Sequence, residues 1–248
     1  MKKEVGVLML LSVVLLAGCG SDKPVTQESG ESPSKQVTTQ PEQETDAKLL
    51  GSSENKNVKL YETTDGVIVD VNGRQKKFDW RILKGVSKPW VSYVDLTGDG
   101  KEEVIVILVT GHGSNLGTNE AHVLNGENLS EIKIQKGEEI VADLETEVKQ
   151  NGNELLIKAK GKEFKFSKNV NELALAHEPD DKFENKLYFG DIILHDLKDQ
   201  KLTVNIGGFV TPINGVLPDH VCTFHVTYKY DQALNEFVAD QIEVTPDE

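Results

Sequence analysis

Positively charged side chains are scarce in this sequence. The 248 residues include 27 lysines and arginines against 41 aspartates and glutamates, which gives a formal net charge of −14 at pH 7. So acidic a chain is repelled by phosphate backbones and by anionic lipid surfaces. The composition therefore argues against nucleic acid as a partner. It is compatible with divalent cations and with basic or neutral ligands.

Cysteine is nearly absent, because Cys19 and Cys222 are the only two. If the first is modified as argued below, the second has no partner and an intramolecular disulfide is excluded.

The chain also lacks a regular alternation of strands and helices, which counts against a doubly wound fold. No later segment is apolar enough to span a membrane, and no internal repeat has a convincing period.

The N-terminus combines two lysines with a short apolar segment, residues 5–17. This run is too short to span a bilayer comfortably and is typical of a signal peptide. It ends Leu16-Ala17-Gly18-Cys19, which resembles the lipobox of bacterial lipoproteins. We therefore expect cleavage after residues 1–18 and a diacylglycerol-modified Cys19 on the extracellular face of the cell membrane. Two or three acyl chains make a stable anchor.

A polar segment follows the predicted cleavage site. Residues 20–57 are mostly Ser, Thr, Gln, Glu, Pro, Asp and Lys, with few apolar residues. Such a segment cannot bury enough apolar surface to offset chain entropy, so residues 19–57 are predicted to be the lipidated cysteine and a disordered tether. As a random coil, the tether would hold the rest of the chain on the order of 30–35 Å from the membrane.

Residues 58–248 are predicted to form an extracellular domain rich in β-strands. Asn72-Gly73 is a strong hairpin signal, and an amphipathic helix is predicted at 138–149. A short helix and a loop are predicted at 169–186. Alternating or continuously apolar runs predict strands at 67–71, 74–79, 90–94, 104–109, 120–124, 131–134, 155–159, 163–166, 202–206, 222–230 and 236–244.

The expected fold class is therefore α+β, mainly antiparallel β with one or two short helices. A division of the domain into two subdomains, at about 58–136 and 150–248, is left open. The run 104–109 is apolar throughout, which predicts a central, buried strand.

One loop between two predicted strands carries oxygen atoms at alternate positions. Asp95, Thr97 and Asp99 stand at loop positions one, three and five, and Glu103 stands at position nine. The backbone carbonyl of Lys101 is available at position seven. Ca²⁺ takes six to eight oxygen ligands, so these five residues are predicted to bind one calcium ion. The alternative is a tight acidic turn without a metal.

The segment 93–106 resembles the calcium loop of VCBS and FG-GAP (integrin α-like) repeats, in which acidic residues at positions one, five and nine bind calcium. Thr97 departs from that pattern, because position three is usually Asp or Asn. With Thr110-Gly111-His112-Gly113 and the segments 189–192 and 226–230, the chain is also similar to lipoproteins of Gram-positive, endospore-forming bacteria. A full β-propeller is not expected, because only one good loop is present. Residues 196–201 have the spacing of a decayed second copy.

Two weaker patterns contain chemically reactive side chains. His112 and Ser114 follow the buried strand and would be the base and nucleophile of a hydrolase, although a flexible loop is favoured. His220 and Cys222 share one face of a predicted strand while His225 points away, so core packing of Cys222 is favoured over a zinc site.

Trp80 and Trp90 lie on predicted strands and are expected to be core residues, with a sugar-stacking platform as the alternative.

Three functions are compatible with these patterns. The favoured one is a non-enzymatic binding or interaction module of the cell envelope, whose partner is an envelope protein or glycan. The second is an envelope hydrolase that uses His112 with acidic partners. The third is a purely structural envelope or spore protein.

We expect Cys19→Ala to abolish lipid attachment, because it removes the thiol that diacylglycerol would alkylate. Mass spectrometry and membrane fractionation should then find uncleaved or mis-sorted protein without a lipid. Recovery of the unaltered chain as a soluble secreted protein that begins elsewhere would contradict lipidation.

Overall fold

Strands dominate the structure, a computed structural model that describes residues 47–113, 116–160, 163–175, 181–215 and 217–247. The strands are β1 (Lys48–Ser52), β2 (Val58–Thr63), β3 (Gly66–Val71), β4 (Arg74–Phe78), β5 (Trp90–Val94), β6 (Glu103–His112), β7 (Gly117–Asn125), β8 (Glu131–Ile134), β9 (Glu147–Asn151), β10 (Glu154–Ala159), β11 (Phe164–Asn169), β12 (Ile192–Lys198), β13 (Lys201–Val210), β14 (Asp219–Asp231) and β15 (Glu236–Pro246). The helices in the described ranges are α1 (Gly137–Ala142) and a 3-10 turn at Val170–Glu172. The predicted predominance of β-structure is confirmed.

The strands of the described residues form three sheets. β1 to β4 make one antiparallel sheet in chain order, and β9 to β11 make another. The largest sheet has the order β12-β13-β14-β15-β8-β7-β6-β5, in which β15 and β8 run parallel. Because β12 also pairs in parallel with β7, six of these strands close into a ring, and β6 and β5 extend from it.

β6 belongs to both hydrophobic clusters of the fold. Val104, Val106 and Leu108 pack in the cluster that contains the core residues of β2 to β4. Ile105 and Ile107 pack in the cluster formed by the ring and by β9 to β11. Successive side chains of a strand point to opposite faces, so a strand buried on both faces must be apolar at every position. The prediction that this strand is buried is confirmed, whereas its place in the sheet is second from the β5 edge rather than central.

Two predicted hairpins have the expected form. Asn72 and Gly73 both have positive φ angles, 51° and 89°, and they join β3 to β4 as the type I′ turn requires. β14 pairs with β15 from Cys222 to Asp231. On β14 the even-numbered residues 222–228 are buried, while Thr223, His225, Thr227 and Lys229 are half-buried or exposed. The predicted alternation is confirmed.

The predicted helix at 138–149 is too long. α1 ends at Ala142, and β9 begins at Glu147. Asn151-Gly152 is the turn of the β9–β10 hairpin rather than a helix stop, since Asn151 pairs with Glu154. A short helix followed by a strand spaces its buried residues much as one long helix would, because Ile140, Leu144 and Val148 all enter the same core cluster.

The predicted tether extends too far toward the domain. β1 lies inside the segment 19–57 and pairs with β2, and Leu50 packs against the β2–β4 core cluster. Two adjacent leucines in an otherwise polar segment are enough for an edge strand. Cys19, the predicted signal peptide and the tether as far as residue 46 lie outside the described residues. Within the described ranges, no helix is long and apolar enough to cross a membrane.

The eight-stranded sheet contains strands from both sides of the suggested subdomain division. β5 to β8 and β12 to β15 hydrogen-bond within it. The two groups of strands are connected by the pairing of β8 with β15 and of β7 with β12, and the paired strands are far apart in sequence.

Candidate functional site

The predicted calcium loop is held by its own carboxylates. The carboxylate of Asp95 accepts the N–H groups of Gly98, at 2.7 Å, and Gly100, at 2.9 Å. Both glycines have positive φ, 79° and 87°, a conformation that side chains disfavour. The carboxylate of Asp99 accepts the N–H of Lys101 at 2.9 Å. The loop is therefore a compact turn with acidic side chains directed back onto its backbone.

Glu103 closes the loop from the first position of β6. Its side chain is buried and accepts the N–H groups of Leu96 and Thr97, at 2.9 and 3.0 Å. Burial raises the pKa of this carboxyl, and the nearby Asp99 and Asp95 raise it further, against the two hydrogen bonds. The Oγ1 atom of Thr97 is buried and has no hydrogen-bond partner among the described residues.

The carboxylates of Asp95, Asp99 and Glu103 thus all hydrogen-bond to the backbone of one short loop. The ammonium of Lys101, whose carbonyl is the predicted ligand, pairs with Glu127 at 2.7 Å. In the described ranges, no three His, Cys, Asp or Glu side chains converge as a metal site built from them would require. A cation here would depend on the hydroxyl of Thr97 and the carbonyl of Lys101 as well. The orphaned hydroxyl and the desolvated Glu103 fit such a cation, so calcium binding stays a prediction.

A cavity of about 700 Å³ lies beside the middle of β7. β7 pairs with β12 only at Gly117 and Thr118, and with β8 only at Val123 and Leu124. On that edge, residues 119–122 have no adjoining strand in the described chain, and the ring opens there. The lining residues are Thr110, Thr118, Asn119, Glu120, Ala121, His122, Val123, Glu131, Ile132, Lys133, Ile134, Gln135, Lys136, Gly137, Glu138, Gly190, Ile193 and His195.

The side chain of Asn119 bridges the opening to β12. Its Nδ2 donates to the carbonyl of His195 at 3.0 Å, and its Oδ1 accepts the backbone N–H of His195 at 2.6 Å. The Nδ1 atom of His195 lies 3.2 Å from the carbonyl oxygen of Asn119 and 3.0 Å from its Oδ1. Both neighbours are acceptors, so Nδ1 carries the proton and Nε2 has the lone pair. Burial lowers the pKa of His195 to about 4, which keeps the ring neutral at pH 7.

His122 is the second imidazole of the cavity. It stacks on Trp80, with ring centroids 3.9 Å apart and an interplanar angle of 12°. The indole of Trp80 donates to Glu131 at 2.9 Å. The Nε2 of His122 is buried without a hydrogen-bond partner in the described chain, and the carboxylate of Glu120 lies 3.8 Å away. Desolvation, with a smaller contribution from His195, lowers the pKa of His122 to about 4.

The two tryptophans differ. Trp80 is buried in the β2–β4 cluster, as expected. Trp90 is 45% exposed, so the prediction that it belongs to the core is wrong. It is the first residue of the edge strand β5, and the next residue, Val91, takes the inward position.

Of the two predicted hydrolase residues, the structure describes only His112. His112 is exposed at the end of β6, and its imidazole contacts no carboxylate among the described residues. Ser114 lies outside the described residues.

Cys222 is fully buried in the ring core, as expected, and burial raises the pKa of its thiol to about 12. A neutral thiol is a poor zinc ligand.

A polar network on β14 was not predicted. His220 lies 3.3 Å from the hydroxyl of Thr223 and 3.4 Å from the carboxylate of Asp247. His225 bridges Asn205, at 2.8 Å, and Thr245, at 3.1 Å. The two groups join strands β13, β14 and β15.

Comparison with protein-family models, with curated proteins and with solved structures finds no match to this chain. The likeness of residues 93–106 to a calcium-loop family is therefore carried by the loop residues alone.

We expect acidification to destabilise the fold through His122 and His195. Their pKa of about 4 in the folded protein lies below the usual 6.5, so the unfolded chain takes up protons first. The stabilisation from each neutral ring is complete above pH 6.5 and is lost as the pH falls toward 4. It amounts to roughly 3 kcal/mol for each ring.

Urea unfolding at several pH values checks this expectation. His122→Phe, which keeps an aromatic ring against Trp80, and His195→Gln should each flatten the fall in unfolding free energy between pH 6.5 and 4. His225→Gln, at an exposed position, is the control. If the unfolding free energy fell equally with pH in the unaltered protein and in all three variants, the attribution of acid destabilisation to His122 and His195 would be refuted.

Proposed function

We propose that this chain is a membrane-anchored extracellular lipoprotein that acts as a non-enzymatic binding module of the cell envelope. The lipobox at Cys19 supports the anchor, and the polar segment after it supports display away from the membrane. The observation that carries the binding function is the cavity of about 700 Å³ beside β7. Its volume is within the usual range of small-molecule sites.

The lining supports a ligand site over a simple packing defect. The apolar walls are Val123, Ile132, Ile134 and Ile193, and polar groups converge between them. His122 is desolvated and its Nε2 has no hydrogen-bond partner among the described residues, which has an energetic penalty for a polar group. Most binding sites combine apolar walls with a few placed polar groups. A ligand that hydrogen-bonds the imidazole of His122 would offset its desolvation.

A hydrolase is the second candidate, supported by the network on β14 more than by His112. Thr223, His220 and Asp247 supply a hydroxyl, a base and an acid in the order that acyl transfer uses. The distances of 3.3 and 3.4 Å are long for that role, and Thr223 lies within a regular strand. A purely structural envelope or spore role is the remaining alternative.

The finer fold assignment is also proposed: an α+β domain that is not a full β-propeller. One six-residue helix packs on the ring core through Ile140, which supports the first part. The described strands join into sheets of four, three and eight strands rather than equal blades, which supports the second.

We further propose that Asp95, Thr97, Asp99, Glu103 and the carbonyl of Lys101 bind one stabilising Ca²⁺. Three carboxylates in one short loop repel one another, and a cation removes that repulsion. Extracellular calcium sites of this kind have Kd on the order of 10⁻⁴–10⁻³ M.

Calcium at about 1 mM should stabilise the protein by roughly 0.4–1.4 kcal/mol, because only the folded state binds it. A saturable rise in melting temperature and a calorimetric titration would measure this. Asp95→Asn/Asp99→Asn should abolish both signals, while Glu127→Gln, which neutralises an adjacent non-ligand, should keep them. Magnesium should stabilise less, since it prefers strict octahedral geometry. Absence of calcium binding to the folded protein would reduce the loop to an acidic turn.

The binding function is tested by filling the cavity. Ala121→Leu adds a side chain to the lining, and Ala142→Leu adds the same side chain at an exposed position of α1. We expect small molecules from an envelope extract to shift the NMR amide signals of residues 117–123 and 131–138. The shifts should persist in Ala142→Leu and vanish in Ala121→Leu. Shifts elsewhere, or none, would refute the cavity as the ligand site.

A further inference from the structure

We propose that the cavity beside β7 recognises a small organic cation, a protonated amine on a short hydrocarbon chain. This inference rests on the proposed binding function and names the ligand class of the same site.

Charge in the lining favours a cation. Three carboxylates, those of Glu120, Glu131 and Glu138, line the cavity with two ammonium groups. One of the two, Lys133, is paired at 2.9 Å with Glu236, which is not a lining residue. Lys136 is then the only lining cation in the described chain that is left to balance three carboxylates. An anionic ligand would meet net repulsion.

The hydrogen-bonding groups of the lining are mostly acceptors. The proton on Nδ1 of His195 is committed to Asn119, so its Nε2 accepts. The Nε2 of His122 is buried without a partner among the described residues, and it accepts in the tautomer whose Nδ1 proton faces Glu131, 3.7 Å away. Glu131 receives the Trp80 N–H on Oε1, and its second oxygen adds an acceptor. The side-chain amide of Gln135 is a donor, because its oxygen already accepts the N–H of Ala239. An ammonium group supplies three donors to such a lining.

The walls fit the remainder of such a molecule. Val123 and Ile132 are buried in the ring core, and Ile134 and Ile193 pack against that core from the lining. Methylene groups against these side chains would be removed from water. A transition metal is disfavoured, since no three His, Cys, Asp or Glu side chains converge in the described ranges.

Calorimetric titration of the whole protein with three head groups on one hydrocarbon chain tests the ligand class. The probes are n-butylammonium, 1-butanol and butyrate at pH 7.5. We expect butylammonium to bind saturably, butanol at least about ten-fold more weakly, and butyrate not at all. Glu131→Gln, which retains the oxygen that accepts from Trp80, should weaken butylammonium about ten-fold. Glu154→Gln, on the exposed end of β10, should not change it.

The other outcomes would refute the ligand class, the place of binding or the proposed function, as follows. Equal binding of butanol and butylammonium, or binding of butyrate in their place, would overturn the cation class while leaving the cavity as a ligand site. Butylammonium binding that persists in both Glu131→Gln and Ala121→Leu would place the cation elsewhere and overturn the inference. If no probe binds while envelope-extract molecules still shift the cavity amides, only the ligand class is refuted. If those shifts are absent too, the proposed binding function is also refuted.

Discussion

Burial of β6 on both faces is the constraint on which the rest of the fold depends. Its even-numbered side chains from Val104 to Leu108 pack against the β1–β4 sheet, and Ile105 and Ile107 pack against the ring. Neither side can be removed without exposing apolar surface of the same strand. The two clusters are thus joined by a single run of backbone, and loss of β6 would disrupt both.

The position of β6 explains the opening beside β7. β7 hydrogen-bonds β6 along its whole length on one edge, so that edge cannot bend away. On its other edge β7 meets β12 first and β8 later, and these two strands do not adjoin it continuously. The four residues between the two contacts face the cavity, and Asn119 spans part of the interval through its side chain. The opening, and with it the proposed ligand site, is therefore set by the pairing of β7 with β6, β12 and β8.

Local sequence patterns predict those features that depend on local chemistry. The apolar run of β6, the alternation of β14 and the turn at Asn72-Gly73 each report the environment of neighbouring residues, and all three are confirmed. The end of the helix near 142 was missed because spacing alone cannot separate a helix from a helix followed by a strand. The cavity was missed for a different reason. His122 and His195 are 73 positions apart and meet only because β7 contacts β12, a pairing that no local pattern encodes.

The acidic loop is coupled to the same central strand. Glu103 is the last candidate ligand and also the first residue of β6, where it is buried beside Val104. Its carboxylate holds the backbone of Leu96 and Thr97, so the entry of the chain into β6 and the shape of the loop are fixed by one side chain. Desolvation and two neighbouring aspartates destabilise the charged form of Glu103. This unfavourable charge lies at the end of β6, directly beside the buried apolar residues of the strand. A cation in the loop would stabilise that charge at the strand that both cores share, so its stabilisation would reach the whole domain rather than the loop alone.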